Sequence, residues 1–381
     1  MLARTRRCLP AQLYSKRFWP LARRILHNTS MTYSFSRRSL LASAIGVPLY
    51  TAMANAKPKR TPQGSLTDVP GLKVGHFTHT KRPTGCTVVL AEAGVTAGAD
   101  VRGGAPGTRD IELLRPEMSV QQIHAVVLSG GSAFGLATAD GVMRYLEERE
   151  IGFPIGGGVV PIVPTAILFD LGVGGSTPRP DAAAGYAAAK AATGDPVAQG
   201  NVGAGAGATV GKILGRAQAM KGGLGTASLK LPSGLIIGAL AAVNCMGDVV
   251  DPDSGEPLAG ARTADGKRLR DTMAELRKGA TTGTRPGENT TLAIVAANVE
   301  WTKAEATKVA QMAHDGLARA IRPAHMPMDG DTVFALGTGG RPLGDLLGTV
   351  GALAADVLAQ AVVSAVLHAE SIEGFVAYRD I

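Results

Sequence analysis

From residue 68 to the C-terminus, apolar runs with little polar alternation take turns with segments of helical spacing. Cys86–Glu92, Ala125–Leu128, Leu235–Val243 and Thr291–Ala297 consist mainly of Val, Ile, Leu and Ala. Short apolar runs without a polar face fit strands covered on both sides. Ala133–Glu150 carries apolar residues at helical spacing and stops before Gly152, and the alanine-rich Asp181–Ala192 stops before Gly194. Thr302 and Glu305 stand as a capping box, predicting a helix to about Ile321. Asp345–His368 is apolar on nearly every side, which predicts a buried helix. Asp356 and Gln360 within it argue against a membrane span. Gly374–Tyr378 reads as a final strand.

One junction breaks this rhythm. Residues 278–288 read KGATTGTRPGE, rich in Gly, Thr and Pro and without apolar period. Such a composition predicts an exposed, flexible connector. It runs directly into Asn289-Thr290-Thr291 and the buried strand, so loose chain becomes core within about two residues.

Composition narrows the class. Of the 381 residues 45% are hydrophobic and 18% charged, which excludes a disordered chain and suffices for one large core or two modest ones. Only 4% are aromatic while 50 are Gly, so that core must be built from small aliphatic side chains in close contact. The formal charge of +8 misleads: residues 1–67 hold twelve Lys or Arg and no acid, leaving a net −4 on residues 68–381. The body therefore carries no electrostatic footprint for nucleic acid. The basic leader, residues 1–56, contains Arg37-Arg38, a mildly apolar stretch from Leu40 to about Met53, and Ala54-Asn55-Ala56. That order resembles a twin-arginine export signal that would deliver the body to the periplasm or beyond, with Met31 where such a signal would start. The Arg-rich, acid-free first thirty residues also fit a mitochondrial transit peptide. The apolar stretch, broken by Gly46 and Pro48, is too short for a retained membrane anchor. Cys86 and Cys245 match no metal spacing and read as small buried residues.

Candidate chemistry starts at Thr290. An alcohol needs a base to act as nucleophile, and a chain cut before a Thr supplies one in the new α-amine. The same position is also an ordinary strand start. Asp329 and Asp331 flank Gly330; in extended chain they share a face, where paired carboxylates can hold an ammonium group and shift each other's pKa. They equally fit a polar turn before the strand-like Thr332–Leu336. Gly203–Lys212 is glycine-rich, but nothing supports a nucleotide site: no strand leads in, and no acid lies between Asp195 and Asp248. It presents Lys212, which by itself reads as a surface lysine. Backbone N–H groups at Gly130 and Gly131, between an apolar run and a helix, can bind an oxyanion. Asn244, after an apolar run, is a second such donor or a turn residue. His124, His314 and His368 lack any partner pattern and read as structural. No cofactor or metal is expected.

Taken together, GGAPGTR at 103–109, SGGSAFGL at 129–136, VPIVP at 160–164, GNVGAGAGATVGK at 200–212, VNCMGDV at 243–249, NTTLAIVA at 289–296, AHDGLARAI at 313–321 and DGDTVFAL at 329–336 resemble the L-aminopeptidase/D-esterase family. Its relatives include β-peptidyl aminopeptidases and nylon-oligomer hydrolases. The resemblance implies an α+β fold, an αββα sandwich like that of N-terminal nucleophile hydrolases with different connectivity. It implies a single catalytic domain, residues 57–381, self-cleaved into an α segment 57–289 and a β segment 290–381 that assemble into oligomers, tetramers of αβ units. It places the nucleophile on Thr290, with Lys212, Asn244, Asp329 and Asp331 around it. The implied substrate is a small peptide or aminoacyl amide. Phe169 stands where some members have Tyr, so a hydroxyl is missing there. The runner-up resemblance is to ornithine acetyltransferases, which also cleave before Thr.

Overall fold

The computed structural model describes residues 60–281 and 287–381. The leader readings at residues 1–56 and positions 282–286 of the connector lie outside the described residues. The main strands are β1 (Lys73–Thr78), β2 (Gly85–Val101), β3 (Thr108–Arg109), β4 (Ile123–Ser129), β5 (Thr165–Ile167), β6 (Gly223–Lys230), β7 (Ile236–Asn244), β8 (Thr290–Ala297) and β9 (Thr332–Gly337). The helices are α1 (Thr138–Glu147), α2 (Ala182–Lys190), α3 (Thr272–Arg277), α4 (Lys303–Ala320) and α5 (Leu347–Leu367).

The nine strands connect in the order β6-β7-β8-β9-β2-β4-β5-β3, with β1 added to β2. The long β2 belongs to two layers. Its Gly85–Leu90 half pairs with β1 and β4, and its Thr96–Val101 half pairs with β9. The register shifts between Leu90 and Val95, where Gly94 adopts a left-handed φ of 80° that a side chain would strain.

Side-chain alternation then builds four layers. Val126 and Leu128 of β4 meet Leu292 and Ile294 of β8 and Phe334 of β9 between the sheets. Val127 of β4 faces the other way, onto Val142 and Leu146 of α1 and Ala188 of α2. Ala293 and Val295 of β8 face Ala313 of α4 and Leu358 and Val362 of α5. This is the expected αββα sandwich, and it explains the apolar runs: both faces of each central strand are covered. Small residues let the layers touch. A Cβ on Gly225 of β6 would lie 2.1 Å from the Ala361 carbonyl of α5. The apolar α5 is buried in the core, packed on α4 and on β6–β8.

Differences from the sequence reading are local. The capping box forms, with Glu305 N–H on the Thr302 hydroxyl and Thr302 N–H on the Glu305 carboxylate. The helix expected from Ala133 opens as a 3₁₀ turn, Ser132–Ala137, because Ser132 sits at φ 54°. Gly374–Tyr378 is not a strand. Gly374 closes a turn at φ 84°, in which Ile372 and Phe375 bond each other's backbone, and a 3₁₀ turn follows at Tyr378–Asp380. Glycines also hid β1 and β6, whose apolar runs they interrupt.

Candidate active site

Strand register assembles the site. In the antiparallel β7–β8 ladder the last residue of β7, Asn244, lies opposite the first of β8, Thr290. In the parallel β8–β9 ladder Leu292 pairs with Thr332, so Asp329-Gly330-Asp331 reaches the same sheet end. Asn289 continues that pairing as an isolated bridge to Asp329. Both sides of the junction are buried: Asn289 is 0% exposed and Thr290 2%.

At the junction the Thr290 hydroxyl donates to the Asn289 carbonyl oxygen at 2.5 Å, and the Gly330 N–H donates to that oxygen at 2.9 Å. A second run of chain backs the Asp329–Asp331 segment. Ala105 N–H donates to the Asp329 carbonyl at 2.8 Å, and Arg102 and Gly103 N–H both donate to the Asp331 carbonyl.

The two acids are held differently. Asp331 is saturated: Oδ1 accepts Thr291 N–H at 2.7 Å, and Oδ2 accepts the backbone N–H and ring Nδ1–H of His325 at 3.0 and 2.9 Å. Asp329 accepts Met326 N–H on Oδ2 at 2.9 Å, while its buried Oδ1 has no protein partner. Burial, helped by the charge of Asp331, pushes the Asp329 carboxyl up to about 7.

Lys212 is not a surface lysine. It is 4% exposed, and its Nζ donates to the Asn244 carbonyl and Oδ1 and to the Cys245 carbonyl at 2.9, 3.0 and 3.3 Å. Burial brings its ammonium down to about 7. The glycine-rich run delivers it by pairing with the turn after β7: Gly211 and Lys212 N–H donate to Gly247 and Met246 carbonyls.

Asn244 Oδ1 receives Thr209 N–H and Lys212, which turns Nδ2 toward the carbonyls of Phe169 and Glu288 at 3.1 and 3.5 Å. Phe169 thus sits beside the junction, under the Arg216 guanidinium. Gly130 and Gly131 do not fit the oxyanion role expected of them. Their N–H groups are spent on the Gly85 carbonyl and on Asp170 Oδ1, a carboxylate tied also to Arg82 and Thr84.

The sequence profile of peptidase family S58 matches residues 64–379. The chain belongs to peptidase family S58. As an S58 peptidase it is a hydrolase, and the acetyltransferase alternative is not favoured. It is similar to an uncharacterised aminopeptidase of Mycobacterium tuberculosis, 46% identical over 343 residues covering 83% of this chain and 97% of that one. A 6-aminohexanoate-oligomer endohydrolase of Paenarthrobacter ureafaciens is 30% identical over 71% of this chain and 74% of its own. Its fold is that of the L-aminopeptidase D-Ala-esterase/amidase of Ochrobactrum anthropi, described as a variant of the Ntn-hydrolase fold. The TM-score is 0.63 at 19% identity, over 85% of this chain and 93% of that one.

In this S58 peptidase two histidines acquire partners that the sequence did not suggest. His325 holds Asp331, at a left-handed φ of 59°. His314 stacks edge-on against it at 4.8 Å and donates Nε2–H to the Asp100 carbonyl. Burial takes His314 down to about 4, so it is neutral and supports the His325 ring. No motif could have flagged His325, because its role comes from a turn that places both its N–H groups on one carboxylate oxygen. A cleft of about 420 Å³ is lined by His325 together with Asp248, Asp271, Arg277 and Arg322; Thr290 does not line it.

Proposed function

We propose that the chain is a self-processing aminopeptidase whose nucleophile is Thr290, released by cutting the Asn289–Thr290 bond. The observation that carries this reading is the Thr290 hydroxyl lying on the carbonyl of the bond before it, at the head of a rigid strand. In maturation Thr290 Oγ attacks the Asn289 carbonyl carbon. The C–O bond forms, the C–N bond breaks, and the hydroxyl proton passes to the departing amine. Water then opens the ester, leaving an Asn289 carboxylate and a free Thr290 hydroxyl. In turnover the new α-amine acts as general base for Oγ. An acyl–Thr290 ester forms, the substrate's amine leaves, and water regenerates the enzyme.

Asp329 Oδ1, buried and without a protein partner, is the group best suited to the Thr290 hydroxyl proton before the cut and to the α-ammonium after it. Lys212 fixes Asn244 and, through it, the approach to the junction. The acid pair also gives the site a negative potential, which favours a substrate with a free amine. The aminopeptidase name of the mycobacterial relative supports this class, and the oligomer hydrolase adds ω-amino amides to the range.

A panel of aminoacyl p-nitroanilides, β-aminoacyl amides and 6-aminohexanoate oligomers, each free and N-acetylated, tests the class. Free-amine substrates with small side chains are expected to turn over and their acetylated forms to fail. Equal turnover of both forms would sink the aminopeptidase reading.

The proposal extends to export by the twin-arginine route and to assembly of several αβ units. Replacing both Arg37 and Arg38 by Lys is expected to keep the protein in the cytoplasm, read by fractionation. Unchanged periplasmic recovery would reject the route.

A further inference from the structure

We infer that the backbone N–H of Gly330 is the donor that stabilises the oxyanion, both when the chain cuts itself and when substrate acylates Thr290. The inference rests on Thr290 being the nucleophile. Gly330 N–H already holds the Asn289 carbonyl oxygen at 2.9 Å, on the atom where negative charge develops when Oγ adds to the carbon. The donors that the sequence suggested are engaged elsewhere: Gly130 and Gly131 on Gly85 and Asp170, and Asn244 Nδ2 on Phe169 and Glu288.

The peptide unit is fixed before any reaction, which is what makes such a dipole effective. The Asp329 carbonyl on its N-terminal side receives Ala105 N–H, the Gly330 carbonyl receives the Thr332 hydroxyl at 2.9 Å, and the Asp331 carbonyl receives two further N–H groups. Residue 330 must also be small. A Cβ there would lie 2.7 Å from Thr290 Oγ and 3.0 Å from the Ala105 carbonyl, so any side chain would displace the nucleophile. The Gly between two acids thus has its own role: Asp329 handles the proton and the ammonium, Asp331 positions the strand head, and the peptide before Gly330 holds the carbonyl.

In the step itself Oγ bonds to the carbonyl carbon and the C=O pair moves onto oxygen, where Gly330 N–H stabilises it. The pair returns as the C–N bond breaks and nitrogen takes the proton. The same sequence applies to a substrate amide in the mature enzyme.

The test removes the N–H and little else. Full-length chain is made with glycolic acid in place of Gly330, which turns that amide into an ester. A second chain carries the same exchange at Gly234, whose N–H closes a turn on the Leu231 carbonyl instead. Self-cutting of the position-330 ester is expected to slow by about 10²–10³-fold. Once it has matured, kcat on a free-amine anilide is expected to fall similarly with KM little changed. The position-234 ester is expected to stay within a few-fold of wild type in both assays. The inference is overturned if the position-330 ester keeps either rate, or if the position-234 ester loses as much. Thr290→Ala, run alongside, separates the two readings: a cut that persists there removes Thr290 as nucleophile, whatever the esters do.

Discussion

Thr290→Ala is expected to give one full-length chain and no measurable peptidase activity, where wild type is expected to give two segments with Thr290 first in the smaller. The methyl that remains cannot attack, and the uncut chain keeps Asn289 buried over the site. Nucleophile deletions in comparable acyl-transfer enzymes cost about 10⁶-fold in kcat, and here maturation is lost as well. Thr290→Ser keeps the hydroxyl but loses the methyl that limits its rotation. It is expected to cut more slowly and to retain partial turnover. N-terminal sequencing of the smaller wild-type segment decides the case: any first residue other than Thr290 refutes the cleavage site.

The second large effect is expected at the acids, and the structure separates them. Asp329→Asn can keep the acceptor for Met326 N–H but removes the ionisable, unpartnered oxygen at the junction. Loss of a positioned proton-transfer group costs about 10²–10⁴-fold, expected here in both the cut and kcat. Asp331→Asn acts through position. Its carboxylate accepts from Thr291 and His325, and an amide NH₂ facing either donor leaves buried polar groups unmatched, at about 1–3 kcal/mol. The strand head is expected to shift and slow both reactions. Wild-type rates in both variants would dismiss the acids from the mechanism.

Acidity adds a discriminating readout. Asp329 is charged, and so able to accept a proton, above about 7, and Lys212 becomes neutral above about 7. Because the two groups feel each other's charge, the values belong to the pair. The cutting rate is therefore expected to rise with pH through about 7 and then level off. In Asp329→Asn the carboxylate's share of that rise disappears, whereas in Asp331→Asn the rise persists at a lower rate with its midpoint moved to lower pH, because the charge that helped raise Asp329 is gone. Cutting followed on a gel from pH 5 to 9 shows which pattern holds.

Much of this arrangement was legible in the chain. Doubly apolar runs predicted covered strands, the Thr302–Glu305 pair predicted the start of α4, and the apolar 345–368 stretch predicted a buried helix. These are local signals, written in the spacing of neighbouring residues. The buried strand at Thr290–Ala297 was of the same kind, and the family stretches pointed to Lys212, Asn244, Asp329 and Asp331.

What those residues do there was not legible. The β7–β8 register sets Asn244 against Thr290 across 46 positions of chain, and only the folded ladder fixes that pairing. Burial then turned Lys212, a surface lysine by its sequence context, into a saturated clamp on Asn244. It left one Asp329 oxygen unpaired while His325, unmarked by any motif, saturated Asp331. Sequence reading chose Gly130 and Gly131 as donors because a strand–helix junction exposes N–H groups. The fold spent those groups on Gly85 and Asp170 and turned Gly330 toward the carbonyl instead. Every residue but proline carries a backbone N–H, so the chain cannot mark which one will matter. Sequence determined which segments are buried; tertiary pairing alone decided which hydrogen-bond donors and acceptors remain free to act where we propose the chain is cut.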